Sequence, residues 1–316
     1  MFAHCQTTKL ADKLFALLGL GSDCSQQEFN PDYDSTIQQV VQRYAACFVQ
    51  RGQTMDLLCR AGMNKSYGFC CWIPEWTRHT FPQTISTWDA SKGSFYAGRR
   101  EHPTAQAREV SDSGLSALQI SGLSVDRITS VATIREISKD GTDYSGTAAD
   151  FRNLIEFIHS YPSGENKSSI LLKLPIGDAR KAHLESTADR LRAYRDFVSQ
   201  ETHDWPDDLE EIVWGDKKRS PEEDKVVKQY WQTSQAFMNR ISKAVFCRTE
   251  KGYAGLVPGG SQKGDEICIF GGGKTPFVLR KRIGEEYTLV GECYIHGLMY
   301  GVENAQGTEE RQFCIV

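Results

Sequence analysis

No stretch of this sequence holds the roughly 18 consecutive apolar residues that a membrane-spanning helix requires. Basic charge is also in short supply. The 37 Lys and Arg face 41 Asp and Glu, a net charge of −4, whereas a nucleic-acid surface normally shows a basic excess. Neither a membrane nor a nucleic acid is therefore expected as a partner. The clusters Lys217-Lys218-Arg219 and Arg280-Lys281-Arg282 stand beside Asp216, Glu285 and Glu286 and read as solvated faces. The start Met1-Phe2-Ala3-His4-Cys5 lacks the charged beginning and apolar core of a secretory signal. Cys314 falls one position too late for a prenylation box. Ten cysteines are present without paired spacing. Cys47, Cys268 and Cys293 sit inside apolar patterns, where a free thiol behaves as a small hydrophobe. Reduced cysteines and a cytoplasmic location are the expectation.

What is present is an ordinary globular composition, 40% hydrophobic and 25% charged over 316 residues. That is room for one large domain or two ordinary ones. Ser35 with Gln38 reads as a capping box before the helical stripe Ile37, Val40, Val41, Tyr44 and Phe48. Thr147 with Asp150 reads the same way before Phe151, Leu154, Ile155 and Ile158, and Pro162 stops that helix. Ser220-Pro221-Glu222-Glu223 opens a third helix carrying Val227, Tyr230, Trp231, Phe237 and Ile241. A weaker helix carries Leu184, Leu191, Tyr194 and Val198, and the acidic stretch from Glu201 to Asp216 reads as a surface loop.

β-branched residues from Leu115 to Ile134, broken at Gly122, predict a hairpin. From Ala244 onward, short strands are expected at Val245–Thr249, Tyr253–Val257, Glu266–Phe270, Phe277–Arg282, Tyr287–His296 and Arg311–Val316, separated by glycine-rich turns. The fold class is α+β: a helical region over 1–92, then a small antiparallel β-barrel over 93–316. A helical insertion at about 146–243 interrupts that barrel. The strands from Leu115 to Ile134 should join those after Ala244, because the later group alone would leave an exposed edge.

Chemistry-bearing motifs are incomplete. Cys268-Ile-Phe-Gly271-Gly272-Gly273-Lys274-Thr275 nearly spells a phosphate-binding loop, but Cys268 stands where the first glycine belongs. Pro276 and Phe277-Val278-Leu279 replace the helix whose N-terminus would face phosphate. A turn between strands is expected, without nucleotide. Cys70-Cys71 followed by His79 has no second pair at zinc spacing, so no metal and no cofactor is predicted. Trp72-Ile73-Pro74-Glu75-Trp76 reads as a rigid apolar plug joining two parts of the molecule. In the stretch from Leu289 to Gly297, strand alternation puts Glu292, Tyr294 and His296 on one face. Leu289, Gly291, Cys293 and Ile295 fall on the other, as a core-facing row with a poorly reactive Cys293. Glu292 and His296 would stand about 13 Å apart, too far for a direct acid–base pair. With Arg280, the polar row Glu292, Tyr294 and His296 forms the candidate ligand or partner site. No complete catalytic set is identified.

Several segments, taken in order, resemble the fungal heterokaryon-incompatibility (HET-domain) proteins. They are Lys13-Leu-Phe-Ala-Leu-Leu-Gly-Leu20, Pro31-Asp32-Tyr33, Trp72-x-Pro-x-Trp76, Arg248-Thr249-x-x-Gly252-Tyr253-x-Gly255 and Gly264-Asp265-x-Ile267. They continue with Pro276-x-Val278-Leu279-Arg280 and Leu289-Val290-Gly291-Glu292-Cys293-Tyr294-x-His296-Gly297. Of the family's N-terminal HET module, a TIR-like α/β unit, the sequence holds almost nothing, so activity housed there does not carry over. Where the family often continues with an acidic Met-Asp-Gly-Glu-like segment, Met299-Tyr300-Gly301-Val302 stands instead. The resemblance implies the C-terminal barrel region of an incompatibility-type protein, acting through a protein partner in non-self recognition and cell-death signalling. Two function classes follow: a non-catalytic interaction or regulatory module, or a small-molecule-binding or enzymatic barrel with a polar pocket around Glu292, Tyr294 and His296.

Overall fold

The computed structural model describes residues 9–18, 29–62, 70–76, 83–88, 95–98, 103–109, 116–137, 143–156, 158, 160–177, 221–301 and 310–316. The expected helix around Leu184–Val198, the loop from Glu201 to Asp216, the Ser220 cap and His79 lie outside them.

Three helices open the chain: α1 (Asp12–Leu18), α2 (Ile37–Gln50) and α3 (Thr54–Leu58). The capping box of α2 sits one residue later than expected. Thr36 accepts from the Gln39 backbone N–H, and the Gln39 side chain accepts from the Thr36 backbone N–H. Ser35 instead donates to Asp32 at 2.6 Å. Both pairs fit the box pattern, and the Asp32 carboxylate takes Ser35 out of the cap.

Strand β1 (Ala105–Glu109) pairs antiparallel with β2 (Ser116–Thr133). The expected hairpin is a correction: β2 is one long strand that bends, and Gly122 lies within it. A Cβ at Gly122 would stand 2.8 Å from the Ile269 carbonyl oxygen and against the Phe270 ring. The glycine is there for close approach of a neighbouring strand rather than for a turn.

The helices α4 (Ser145–Glu156), α5 (Lys167–Lys173) and α6 (Pro221–Met238) fall between β2 and β3. Thr147 and Asp150 lie inside α4 and do not cap it. The Thr147 hydroxyl donates to the Arg135 carbonyl, and the Asp150 carboxylate accepts from the Arg135 backbone and guanidinium. The remaining strands are β3 (Val245–Thr249), β4 (Ala254–Val257), β5 (Glu266–Phe270), β6 (Phe277–Lys281), β7 (Glu286–Glu292), β8 (Tyr294–Ile295) and β9 (Glu310–Ile315).

The nine strands among the described residues belong to one sheet: eight follow the order β5-β6-β7-β9-β2-β3-β4-β8, β1 pairs with β2 off this path, and β5 also returns to β2. The two strand groups therefore do join, with β2 as the shared member. The path closes into a ring, β2-β5-β6-β7-β9. The expected all-antiparallel arrangement needs correction, because β7 and β9 run parallel, Glu286 opposite Cys314 and Tyr287 opposite Ile315.

The wall β5–β6–β7 is buried on both faces, and its alternate side chains enter two different cores. Ile267, Ile269, Val278 and Val290 meet Val125 of β2 and Cys247 of β3 in the first. Cys268, Phe270, Phe277 and Leu289 meet Leu57, Leu58 and Trp72 of the N-terminal region in the second. Trp72 is fully buried there, and its indole N–H donates to the Ser116 carbonyl at 2.9 Å. Trp76 is only partly buried, edge-on to Phe48. A third core packs α4, α5 and α6 against Phe246, Ala254, Leu256 and Tyr294 of β3, β4 and β8. Among the described residues no helix is long and apolar enough to cross a membrane.

Candidate functional site

The polar row is built where β7 runs on into β8. Leu279 lies opposite Leu289 but Val278 lies opposite Gly291, so Val290 is the extra residue of a β-bulge. Gly291 has φ +151°, and a Cβ there would stand 3.0 Å from Pro258. The bulge reverses the phase of the strand. Leu289 therefore faces the second core, while Cys293 and Ile295 face the first. Placing Leu289 on the same face as Cys293 is corrected on this ground. From Glu292 onward the alternation is as expected, and Glu292, Tyr294 and His296 share a side.

That side is covered. Glu292, Tyr294 and His296 are 7%, 0% and 3% exposed, against the 22% of the Arg280 side chain. Arg280 belongs to another contact. Its guanidinium donates to both oxygens of buried Asp265, at 2.9 and 2.8 Å, and to the Gly260 carbonyl at 2.6 Å. It locks the turn between β4 and β5, and the structure does not bring it to the row.

Glu292 accepts from the backbone N–H groups of Ile85 and Ser86, both at 2.8 Å, and from the Thr275 hydroxyl at 2.7 Å. The Cys59 thiol also bonds it. Residues Ile85–Thr87 form a 3-10 turn, so the carboxylate fastens this turn to the sheet. Arg240 donates to the Thr84 carbonyl at 2.8 Å and lies over the Trp88 ring. Burial pushes the Glu292 carboxyl above its ordinary range, with the hydrogen bonds opposing.

His296 joins a different network. Its Nδ1 lies 2.8 Å from the Tyr294 hydroxyl and its Nε2 2.7 Å from Oε2 of Glu165. The other carboxylate oxygen pairs with Lys173. Glu165 immediately precedes Asn166, which caps α5 by accepting from Ser169 N at 2.7 Å. The helix start thus sets Glu165, and the last turn of α5 supplies Lys173. The His296 bond and then Lys173 hold the Glu165 carboxyl far below its usual range. Tyr161 closes the same contact: its hydroxyl donates to the His296 carbonyl at 2.8 Å and accepts from Ala254 N at 3.1 Å. Burial raises that phenol far above its ordinary range.

Glu165, Lys173, Tyr161 and Thr275 escape sequence reasoning. One signal was available: Asn166 three residues before Ser169, followed by Ile170, Leu171 and Leu172, marks a helix start beside Glu165.

Cys293 is fully buried, and burial raises its thiol well above the ordinary range. Cys71 donates to the Val316 carbonyl at 2.7 Å and accepts from Leu289 N at 3.1 Å. Among the described residues no group of three or more His, Cys, Asp or Glu could hold a metal ion. Gly271–Lys274 form the turn from β5 to β6, with the Gly273 and Lys274 carbonyls accepting from Gly98 and Ala97 N–H.

Comparison with known proteins adds the lineage. Heterokaryon incompatibility protein 6, OR allele, of Neurospora crassa is 25% identical across 99% of this chain and 51% of its own length. The chain thus spans about half the length of the curated relative it matches. No solved structure matches. Residues 125–316 match the Het-6 beta-barrel domain, a span from the middle of β2 to Val316 that includes Glu165, Glu292, Tyr294 and His296 but not the turn at Ile85–Thr87. The chain belongs to the Het-6 beta-barrel family of heterokaryon-incompatibility proteins.

Proposed function

We propose that this chain is a non-catalytic interaction or regulatory module of a heterokaryon-incompatibility response, acting through a protein partner in non-self recognition that leads to cell death. One observation carries the reading: the polar row singled out in β7 and β8 is spent inside the protein. Glu292 fastens the turn at Ile85–Thr87, and His296 fastens the segment before α5. Catalysis by His296 would require its ring to meet a substrate, and both ring nitrogens are engaged within the fold. Buried polar networks with complete partners favour one well-defined arrangement, which is what a recognition platform needs. Family membership supports the biological setting.

Deletion of the gene in a filamentous fungus that carries it, followed by pairing with strains it rejects, tests the proposal. Compatible fusion is the expected outcome. Rejection that persists unchanged after deletion would sink the reading. A turnover signal abolished by His296→Gln, in a screen of the purified chain, would replace it with the enzymatic one.

A further inference from the structure

The network around His296 runs outward through half-buried Glu165 to an exposed hydroxyl, that of Ser163. This residue is exposed in the turn Pro162-Ser163-Gly164. Its hydroxyl donates to Oε2 of Glu165 at 3.0 Å. The same oxygen meets His296 Nε2 at 2.7 Å. An exposed hydroxyl is thus one hydrogen bond from a polar contact that, with Tyr161 and the apolar packing of α5, ties the segment 160–177 to β4 and β8.

We propose that Ser163 is a phosphorylation site whose occupancy releases residues 160–177 from β4 and β8. In the reaction, the Ser163 oxygen attacks the γ-phosphorus of a nucleoside triphosphate bound to a protein kinase. The bond to the β–γ bridging oxygen breaks, the hydroxyl proton passes to the kinase's base, and a nucleoside diphosphate leaves. The product loses the proton that Ser163 shared with Glu165 and gains a charge of about −1.5 to −2. A donor facing the carboxylate becomes a second anion facing it. Lys173, already paired with Glu165, is a cation that can turn to the phosphate. His296, only 4% exposed in its side chain, cannot follow outward. Glu165 is therefore drawn off the histidine, while Tyr161, four residues earlier, still ties the segment to the His296 carbonyl and to Ala254 N.

Phosphoserine placed genetically at position 163, read by amide hydrogen exchange with mass spectrometry, tests this. Peptides within 160–177 should exchange about tenfold faster, as expected for local opening, while β5 and β6 keep their protection. Ser163→Ala should leave exchange there unchanged. In a Glu165→Gln background, phosphoserine should add no further acceleration, since the carboxylate it acts on is gone. Unchanged or slower exchange in 160–177 would overturn the proposal, because the phosphate would then be tolerated or would tighten the contact through Lys173. Acceleration spread equally over β5 and β6 would also overturn it, as a general loss of stability. Chain isolated from a fungal host should carry phosphate on the peptide containing Ser163, and modification confined to other serines would count against the assignment.

Discussion

Two carboxylates, buried Glu292 and half-buried Glu165, fasten helical segments to the stretch where β7 runs on into β8, and they do so by opposite electrostatics. Glu292 meets two backbone N–H groups, a hydroxyl and a thiol, with Arg240 as a neighbouring charge and no bonded cation among the described residues, and burial pushes its carboxyl up. Glu165 meets an imidazole and an ammonium nearer the surface, and is held down. The contrast teaches that a shared structural role does not imply a shared response to pH. What decides is whether the partners are neutral dipoles in a dry site or charges beside water.

The comparison is sharpened first by the mainly apolar junction on the N-terminal side, where Trp72 is buried. Trp72→Ala should cost about 3–5 kcal/mol in chemical denaturation, the range for a buried aromatic. A loss under about 1 kcal/mol would show that polar contacts dominate on the N-terminal side as well. Glu292→Ala should come next, at about 3 kcal/mol, because it strands two buried N–H groups and the Thr275 hydroxyl. His296→Ala should cost less, about 2 kcal/mol, since Glu165 keeps Lys173 and partial access to water. Reversal of that order in urea titrations would break the comparison.

Smaller but more telling is the pH dependence. Glu165 is depressed, so its contribution is present above the ordinary carboxylate range and fades as pH falls through that range towards its folded value. Glu292 is raised, so its contribution is largest below the ordinary range and fades as pH rises towards its folded value. The stability gap between wild type and Glu165→Gln should therefore shrink on acidification, and the gap to Glu292→Gln should move the other way. Parallel pH profiles for the two variants would mean that one assignment is reversed. The smallest effect should be that of thiol reagents on Cys293, which is fully buried: labelling of the folded protein should lag far behind that of partly exposed Cys314. Rapid labelling would place Cys293 on the outer face.

Much of this arrangement was legible in the sequence because it rests on local signals. Most strands after Ala244 emerge close to their expected limits, since glycine-containing turns separate most of them, while the expected strand Tyr287–His296 is divided into β7 and β8. The turn at Gly271–Lys274 follows from Pro276, and the burial of Trp72 from its apolar, proline-stiffened neighbourhood. The alternation of Glu292, Tyr294 and His296 was readable, but not what covers it. Glu165 lies 131 residues from His296, and nothing local announces a partner at that distance. The bulge at Val290 was hidden because Leu-Val-Gly reads equally well as straight strand. Gly122 misled for a related reason, serving close packing where a turn was expected. The cap of α2 moved by one residue because Ser35 and Thr36 each have a glutamine three positions on.

The position of β9 carries a consequence for the order of events in folding. Strand β2 begins at Ser116, yet along Leu118–Leu123 one of its edges is occupied by Glu310–Ile315, almost two hundred residues later. Contacts of such long sequence separation form slowly, because the intervening chain must be gathered before they yield any stabilisation. During synthesis, which proceeds from the N-terminus at about 5–20 residues per second, that edge of β2 waits roughly ten seconds or more for its partner. Phe270 and Tyr287, whose rings meet Phe313 in the finished molecule, wait with it. The nascent chain therefore carries an open strand edge beside unpaired aromatic rings until Glu310–Ile315 is made, the kind of surface that associates wrongly while it stays open.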